Sequence, residues 1–170
     1  DMRQTNTRGI IPMIEEESGA AFFLPLDDIA KFSDNMAEAL STAIDNVGSA
    51  VSLFWRLTEK PGFISLDEEK IRNIITEAGK GRFAVAAATG AERAKEVCEK
   101  ILASRNISNG DLPVKKLLCG ILAGDDLKLS EVGYIANTLK SSLGDNISLE
   151  LSTVNDDSRF HDSISIVAMA

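Results

Sequence analysis

The chain has 170 residues, of which 44% are hydrophobic and 26% charged, a size and balance that suit a single α/β domain and exclude global disorder. Its 26 Asp and Glu against 18 Lys and Arg leave a formal net charge of −8, and no basic stretch with interleaved aromatics offsets it, so no nucleic-acid partner is expected. No run approaches the roughly 18 apolar residues of a membrane span, no signal-peptide pattern opens the chain, and one histidine with two isolated cysteines leaves no zinc site by ligand count.

Cys98 and Cys119 lie in apolar stretches without a CxxC partner, which reads as free buried thiols in a reducing, cytoplasmic compartment. The chain begins with Asp1 rather than Met, as a piece cut from something longer would. Residues 1–8 are polar. RGIIPMI at 8–14 reads as a short strand closed by three glutamates, and Ala20 to Leu26, with Pro25 inside it, as irregular or edge structure. The segment 1–32 is expected to be irregular or the remnant of a preceding domain.

A long central helix is predicted over 33–61. Ile29, Phe32, Met36, Leu40, Ala43, Ile44, Val47, Val51, Phe54 and Leu57 recur mostly every three or four residues and fall on one stripe. Asp27 or Ser33 can cap its start, and Pro61-Gly62 ends it. Gly48, Ser49 and Ala50 form a small-residue notch at its middle, read as a helix-packing site, and Trp55 is expected to pack at the sheet's margin.

Beyond Gly62 the period alternates. Ser65 to Gly79 reads as a helix opened by a capping box, and Arg82 to Thr89 as a strand buried on both faces. A second capping box at Thr89 to Glu92 leads into a helix ending near Ser104. Lys115 to Ala123 is another buried strand, and Ser130 to Leu143 another helix. Ile147 to Val154 alternates like a strand with one solvated face, and a turn at 155–162 leads to a last strand from Ser163. The expected architecture is α/β in two layers: a four-stranded mixed sheet with helices packed on one face, the final two strands forming a hairpin, and the long helix alongside. Asp125, Asp126, Asp156, Asp157 and Asp162 are expected to be solvated turn residues, with His161 exposed among them.

Four stretches then stand in a telling order: Pro61 to Asp67 (PGFISLD), Ala88 to Ala94 (ATGAERA), Ala123 to Val132 (AGDDLKLSEV) and Ile166 to Ala168 (IVA). The first resembles the PGLIN-x-D loop, the second the TG…GE-x-RA segment and the third the GG-x-DLxLxEV pattern of FtsZ-like proteins. From Met36 onward the chain resembles the C-terminal, GTPase-activating domain of a divergent tubulin/FtsZ-like protein, with 62–170 as that domain.

The resemblance implies a two-half protein in which an N-terminal half binds GTP with Mg and subunits polymerise head to tail. The loop after the central helix then enters the neighbour's nucleotide site, where acidic side chains orient the attacking water; phosphoryl transfer depends mainly on such positioning and electrostatics. It places the in-trans catalytic positions at Asp67, with Glu68 and Glu69 beside it, and the subunit interface at Ser65, Asp67 and Lys70. The family's N-x-D-x-x-D pattern is altered here: its Asn falls on Ser65, its first Asp on Asp67 and its second on Lys70, which cannot accept a proton from water. Glu68 and Glu69 could substitute by a small shift of register.

No glycine-rich phosphate loop occurs in the sequence, so the chain is not a GTPase on its own. Its expected partner is another copy or an FtsZ-like neighbour subunit, with no membrane insertion. Two other readings stand beside this one: a free-standing, non-catalytic binding or regulatory domain of the same fold, and a small ferredoxin-like enzyme, for which the sequence offers no polar pocket.

Overall fold

The computed structural model describes residues 10, 12–14, 17, 20–23, 35–59, 62–104, 107, 114–144 and 146–170. In chain order the elements are β1 (Ala20–Phe23), α1 (Met36–Glu59), α2 (Glu68–Ala78), β2 (Gly79–Thr89), α3 (Arg93–Ala103), β3 (Lys116–Ala123), α4 (Leu129–Leu143), β4 (Ser148–Asn155), the single turn α5 (Asp157–Phe160) and β5 (Ser163–Met169). The described residues of the 8–14 run are helical, not extended.

α1 has 24 residues and is therefore about 36 Å long. Its cap is Asn35, whose Oδ1 accepts the Glu38 N–H at 2.9 Å; Asp27 and Ser33 lie outside the described residues. Neither expected capping box forms. α2 starts at Glu68 behind Asp67 rather than behind Ser65. α3 starts at Arg93 with no side-chain bond from Glu92, after a turn at Gly90 (φ +84°) whose N–H donates to the Asp162 carbonyl.

The sheet is mixed, with strand order β1-β2-β5-β3-β4. It has five strands rather than four, because β1 adds to the outer edge of β2 in parallel. β3 and β4 pair in parallel across the α4 crossover. The expected terminal hairpin does not form: β5 lies antiparallel between β2 and β3, and β4 stays at the edge. Composition explains the exchange. Residues Ile164 to Ala168 are buried in sequence, facing both sides, and need a central slot, whereas Ser148 and Glu150 suit β4 to an edge. The 156–162 connection crosses the end of β3 to allow this, with Asp156 N–H on the Ala123 carbonyl and Gly124 N–H on the Phe160 carbonyl.

Alternation along the strands sorts two apolar clusters. On one face Val97 and Ile101 of α3, with Val132, Ile135 and Leu139 of α4, pack on Ala84, Ala86, Cys119, Ile121, Ile164 and Ile166. On the other, Ala50, Leu53 and Leu57 of α1 pack on Phe83, Leu122, Val154 and Val167. α3 and α4 therefore share one face, and α1 covers the opposite one as a third layer. It comes closest at Gly120, where a Cβ would run into the Leu57 side chain. This placement brings the segment after α1 against the edge strand β4.

Candidate functional site

That segment is held by one residue of β4. Thr153 accepts the Gly62 N–H at its carbonyl (2.9 Å) and donates its own N–H to the Ile64 carbonyl (2.7 Å). Its Oγ1 accepts the Ile64 N–H at 2.9 Å, and Ser152 Oγ adds a bond to the Ile64 carbonyl at 3.3 Å. Residues 62–64 thus behave as a short added strand on the sheet's edge, and Ile64 packs half-buried against the main core. The edge is covered there: Ser152 and Thr153, on opposite faces of β4, are both 1% exposed.

Past Ile64 the chain turns outward. Ser65, Asp67, Glu68, Glu69 and Lys70 are all exposed. Asp67 caps α2, its Oδ1 accepting the Glu69 N–H at 3.4 Å and its carbonyl the Ile71 N–H at 3.1 Å. Glu68 meets Arg72 one helical turn on, at 3.2 Å, with both side chains more than 70% exposed; such a pair contributes only a few tenths of a kcal/mol. The loop therefore gathers the expected residues on one short exposed stretch. Phe63, which sequence reasoning did not single out, lies between the two residues held by Thr153, with 72% of its surface exposed.

Two of the resemblance-bearing motifs meet away from this loop. Arg93, only 3% exposed, donates from Nε and Nη2 to the two carboxylate oxygens of Glu131 (2.7 and 3.0 Å) and from Nη1 to Asp126. Glu131 also accepts the Lys128 N–H at 2.8 Å, closing the start of α4. The Arg93 bonds hold the Glu131 carboxyl below its ordinary range against the opposing effect of burial. The same bonds, Glu131's first, outweigh burial to hold the guanidinium above its own ordinary value. Asp126, an exposed turn residue as expected, is also an ion-pair partner. Asp156 is another: it pairs with Arg56 at 2.8 Å and accepts from Ser158 Oγ at 2.6 Å. Burial pushes both thiols up, Cys98 to about 11, so neither is a ready nucleophile.

An open cleft of about 310 Å³ lies between α1 and the α5 turn, lined by Ser52, Trp55, Arg56, Glu59, Asp156 and Arg159. Two acidic residues line it and Arg56 is already engaged by Asp156, a poor setting for a triphosphate. Among the described residues no three His, Cys, Asp or Glu are placed to hold a metal. Among the described residues no GTP or Mg site is formed.

The periodic stripe of α1 is not the side that is buried. Met36, Leu40, Ile44, Val47, Val51 and Trp55 are 42–74% exposed, and the buried residues are Ala39, Ala43, Ala50, Leu53 and Leu57. The bulkiest stripe faces away from the sheet, Trp55 with it, and Gly48 looks into open space. A helix apolar on two sides is a helix made to be buried. No described helix is long and apolar enough to cross a membrane.

No family model matches the chain. It is similar to the cell division protein FtsZ of Buchnera aphidicola subsp. Baizongia pistaciae, with 28% identity across 97% of this chain and 46% of the relative. It is also similar to FtsZ of Pseudomonas putida, with 25% identity across 93% of this chain and 41% of the relative. The chain thus spans less than half the length of these curated relatives. Among solved structures, an FtsZ dimer from M. jannaschii superposes with a TM-score of 0.78 at 18% identity, over 92% of this chain and 46% of that one. A GTPγS-bound protofilament of CetZ2 from Haloferax volcanii gives 0.68 at 12% identity, over 94% and 48%. The fold is shared with these proteins, and the resemblance to the tubulin/FtsZ superfamily carried by the four motifs holds.

Proposed function

We propose that this chain is the polymerisation and activation domain of an FtsZ-like cytoskeletal GTPase, offering its 62–70 loop to the nucleotide site of a neighbouring subunit. The observation that carries this reading is the loop itself: fixed to the β4 edge through Gly62 and Ile64, and exposed at Ser65, Asp67, Glu68, Glu69 and Lys70. A rigid stalk with an exposed acidic tip can complete a site in trans. In that role Asp67, with Glu68 or Glu69, holds the attacking water, and Ser65 and Lys70 touch the neighbour. Lys70 stands where a second acid is expected, so stimulation of hydrolysis is weak.

The outer stripe of α1 supports the two-half organisation, with 1–32 adjoining a nucleotide-binding half, 33–61 as the joining helix and 62–170 as the activating domain. A free-standing domain of this fold would leave that stripe in water. The test is the GTPase rate per subunit against concentration in the protein that joins this chain to a nucleotide-binding half. A rate that rises with concentration, and loses that rise in Asp67→Ala, supports the reading. A flat rate, unchanged by the substitution, sinks it.

A further inference from the structure

We infer that Thr153 is a positioning residue for the in-trans chemistry: its hydroxyl sets the direction in which the chain leaves the β4 edge, and so the place of the Asp67 carboxylate. This rests on the reading above and adds to it a residue enclosed within the domain, 1% exposed. Two of the bonds that hold the loop use only the Thr153 backbone and would form with any residue there: the Gly62 N–H on its carbonyl, and its own N–H on the Ile64 carbonyl. The side chain adds a third, from the Ile64 N–H to Oγ1 at 2.9 Å. A peptide held at one oxygen still swings about that bond. Holding the Ile64 N–H as well fixes the peptides on both sides of Ile64, and with them φ and ψ, the two soft torsions of the residue.

Asp67 inherits that setting. It lies three residues beyond Ile64, at most about 11 Å of chain, and is anchored on its far side by α2, whose buried Ile71 donates its N–H to the Asp67 carbonyl at 3.1 Å. Between the two anchors Ser65 is exposed and Leu66 half-buried, so the anchors decide where the carboxylate stands. The composition of β4 points the same way. Ser152 and Thr153 put two hydroxyls side by side in the buried end of the strand, and both bond Ile64. Buried hydroxyls are unfavourable unless bonded and, once bonded, specify a single arrangement. A valine at 153 would fill the same space and seal the edge equally well, so sealing does not account for the hydroxyl. Orienting a water for phosphoryl transfer is sensitive to placement on this scale, an ångström changing the rate by up to about a hundredfold.

The test uses the protein that joins this chain to a nucleotide-binding half, at concentrations where the parent's GTPase rate per subunit has levelled off. Thr153→Val, Thr153→Ser, Asp67→Ala and the double variant of Thr153→Val with Asp67→Ala are compared. In Thr153→Val kcat should fall about threefold or more, toward the Asp67→Ala value, with KM for GTP within about twofold of the parent. The bond lost lies in the loop and not against the subunit's own nucleotide. Thr153→Ser keeps the hydroxyl and should recover most of the loss. In the Asp67→Ala background Thr153→Val should have no further effect, since a residue that acts only by placing that carboxylate has nothing left to place. A general loss of structure would slow both backgrounds alike. Gly62→Ala lifts the loop from Thr153 at the other end of the contact and should give the same fall in kcat, a second route should Thr153→Val not fold. Parental kcat in Thr153→Val overturns the proposal, and so does an equal loss with and without Asp67. If Thr153→Val is parental while Asp67→Ala loses its concentration-dependent GTPase rise, the positioning role falls and the in-trans reading stands. If Asp67→Ala is itself parental, both fall.

Discussion

Gly62 lies so close to Thr153 that a Cβ on it would overlap the Thr153 carbonyl, the same group that accepts its N–H at 2.9 Å. Glycine is required here by close approach. Gly62→Ala must lift the loop from the edge strand, at a cost of about 1–3 kcal/mol. The expected result is a lower urea midpoint and faster hydrogen exchange at the Ile64 amide. Parental exchange at Ile64 would show that the loop is held elsewhere.

Thr153→Val keeps the shape of the side chain and removes the oxygen that accepts the part-buried Ile64 N–H. An unpaired amide there destabilises by about 1–3 kcal/mol. Thr153→Ser retains the acceptor and should stay closer to the parent. If Ser and Val variants melt together, the Oγ1 bond contributes nothing measurable.

Glu131 gives a pH signature. Its folded carboxyl lies below its unfolded value because Arg93 stabilises the charged form. That contribution is therefore complete above an unfolded value of about 4.3 and is lost as pH falls through the depressed folded value. At pH 7 Glu131→Gln leaves Arg93 short of a buried counter-charge and should destabilise by about 3 kcal/mol. In urea melts the gap between parent and variant should narrow below about pH 4. A constant gap down to pH 2 would place the loss in packing instead of charge.

These relationships show what was readable from the residues alone. Helices and strands after Gly62 were legible to within a few residues because period and turn residues agree there: Lys116–Ala123 and Leu129–Leu143 sit almost where periodicity put them. The place of β5 was not, because strand order depends on which strand must be buried on both sides, and Ser163–Met169 competes for that slot with β4. The facing of α1 was lost for a related reason. Apolar residues occupy two sides of it, and periodicity cannot tell which side meets the sheet; the side carrying Ala50, Leu53 and Leu57 does. At the candidate site the acidic stretch was legible from the resemblance, but the fixing of Gly62 and Ile64 by Thr153 joins positions 89 or more residues apart, beyond any local pattern.

Gly120 and Leu57 form the other close approach, joining α1 to β3. Gly120→Ala pushes a methyl group into the Leu57 side chain and should cost about 1–3 kcal/mol. Leu57→Ala opens a cavity and should cost about 2–5 kcal/mol. Because the added methyl occupies part of the space that Leu57 vacates, the double variant should be more stable than the sum of the single losses predicts, by at least about 0.5 kcal/mol. Simple additivity in denaturant melts would mean that α1 retreats from the sheet and does not interlock with it.

The outer stripe of α1 offers a prediction for this chain by itself. Ile44 and Val51 are 62% and 63% exposed and lie two turns apart on one line of the helix, so charges placed there meet water and not the core. Ile44→Glu with Val51→Lys should change stability by no more than about 0.5 kcal/mol per site, while sharply reducing binding of a hydrophobic dye and concentration-dependent aggregation. Joined to a nucleotide-binding half, the same pair should separate the two halves, visible as protease cleavage between them, because the stripe would then lose its cover. Loss of folded structure in the isolated chain would mean that these side chains pack within the domain after all. Unchanged dye binding would put the sticky surface somewhere other than α1.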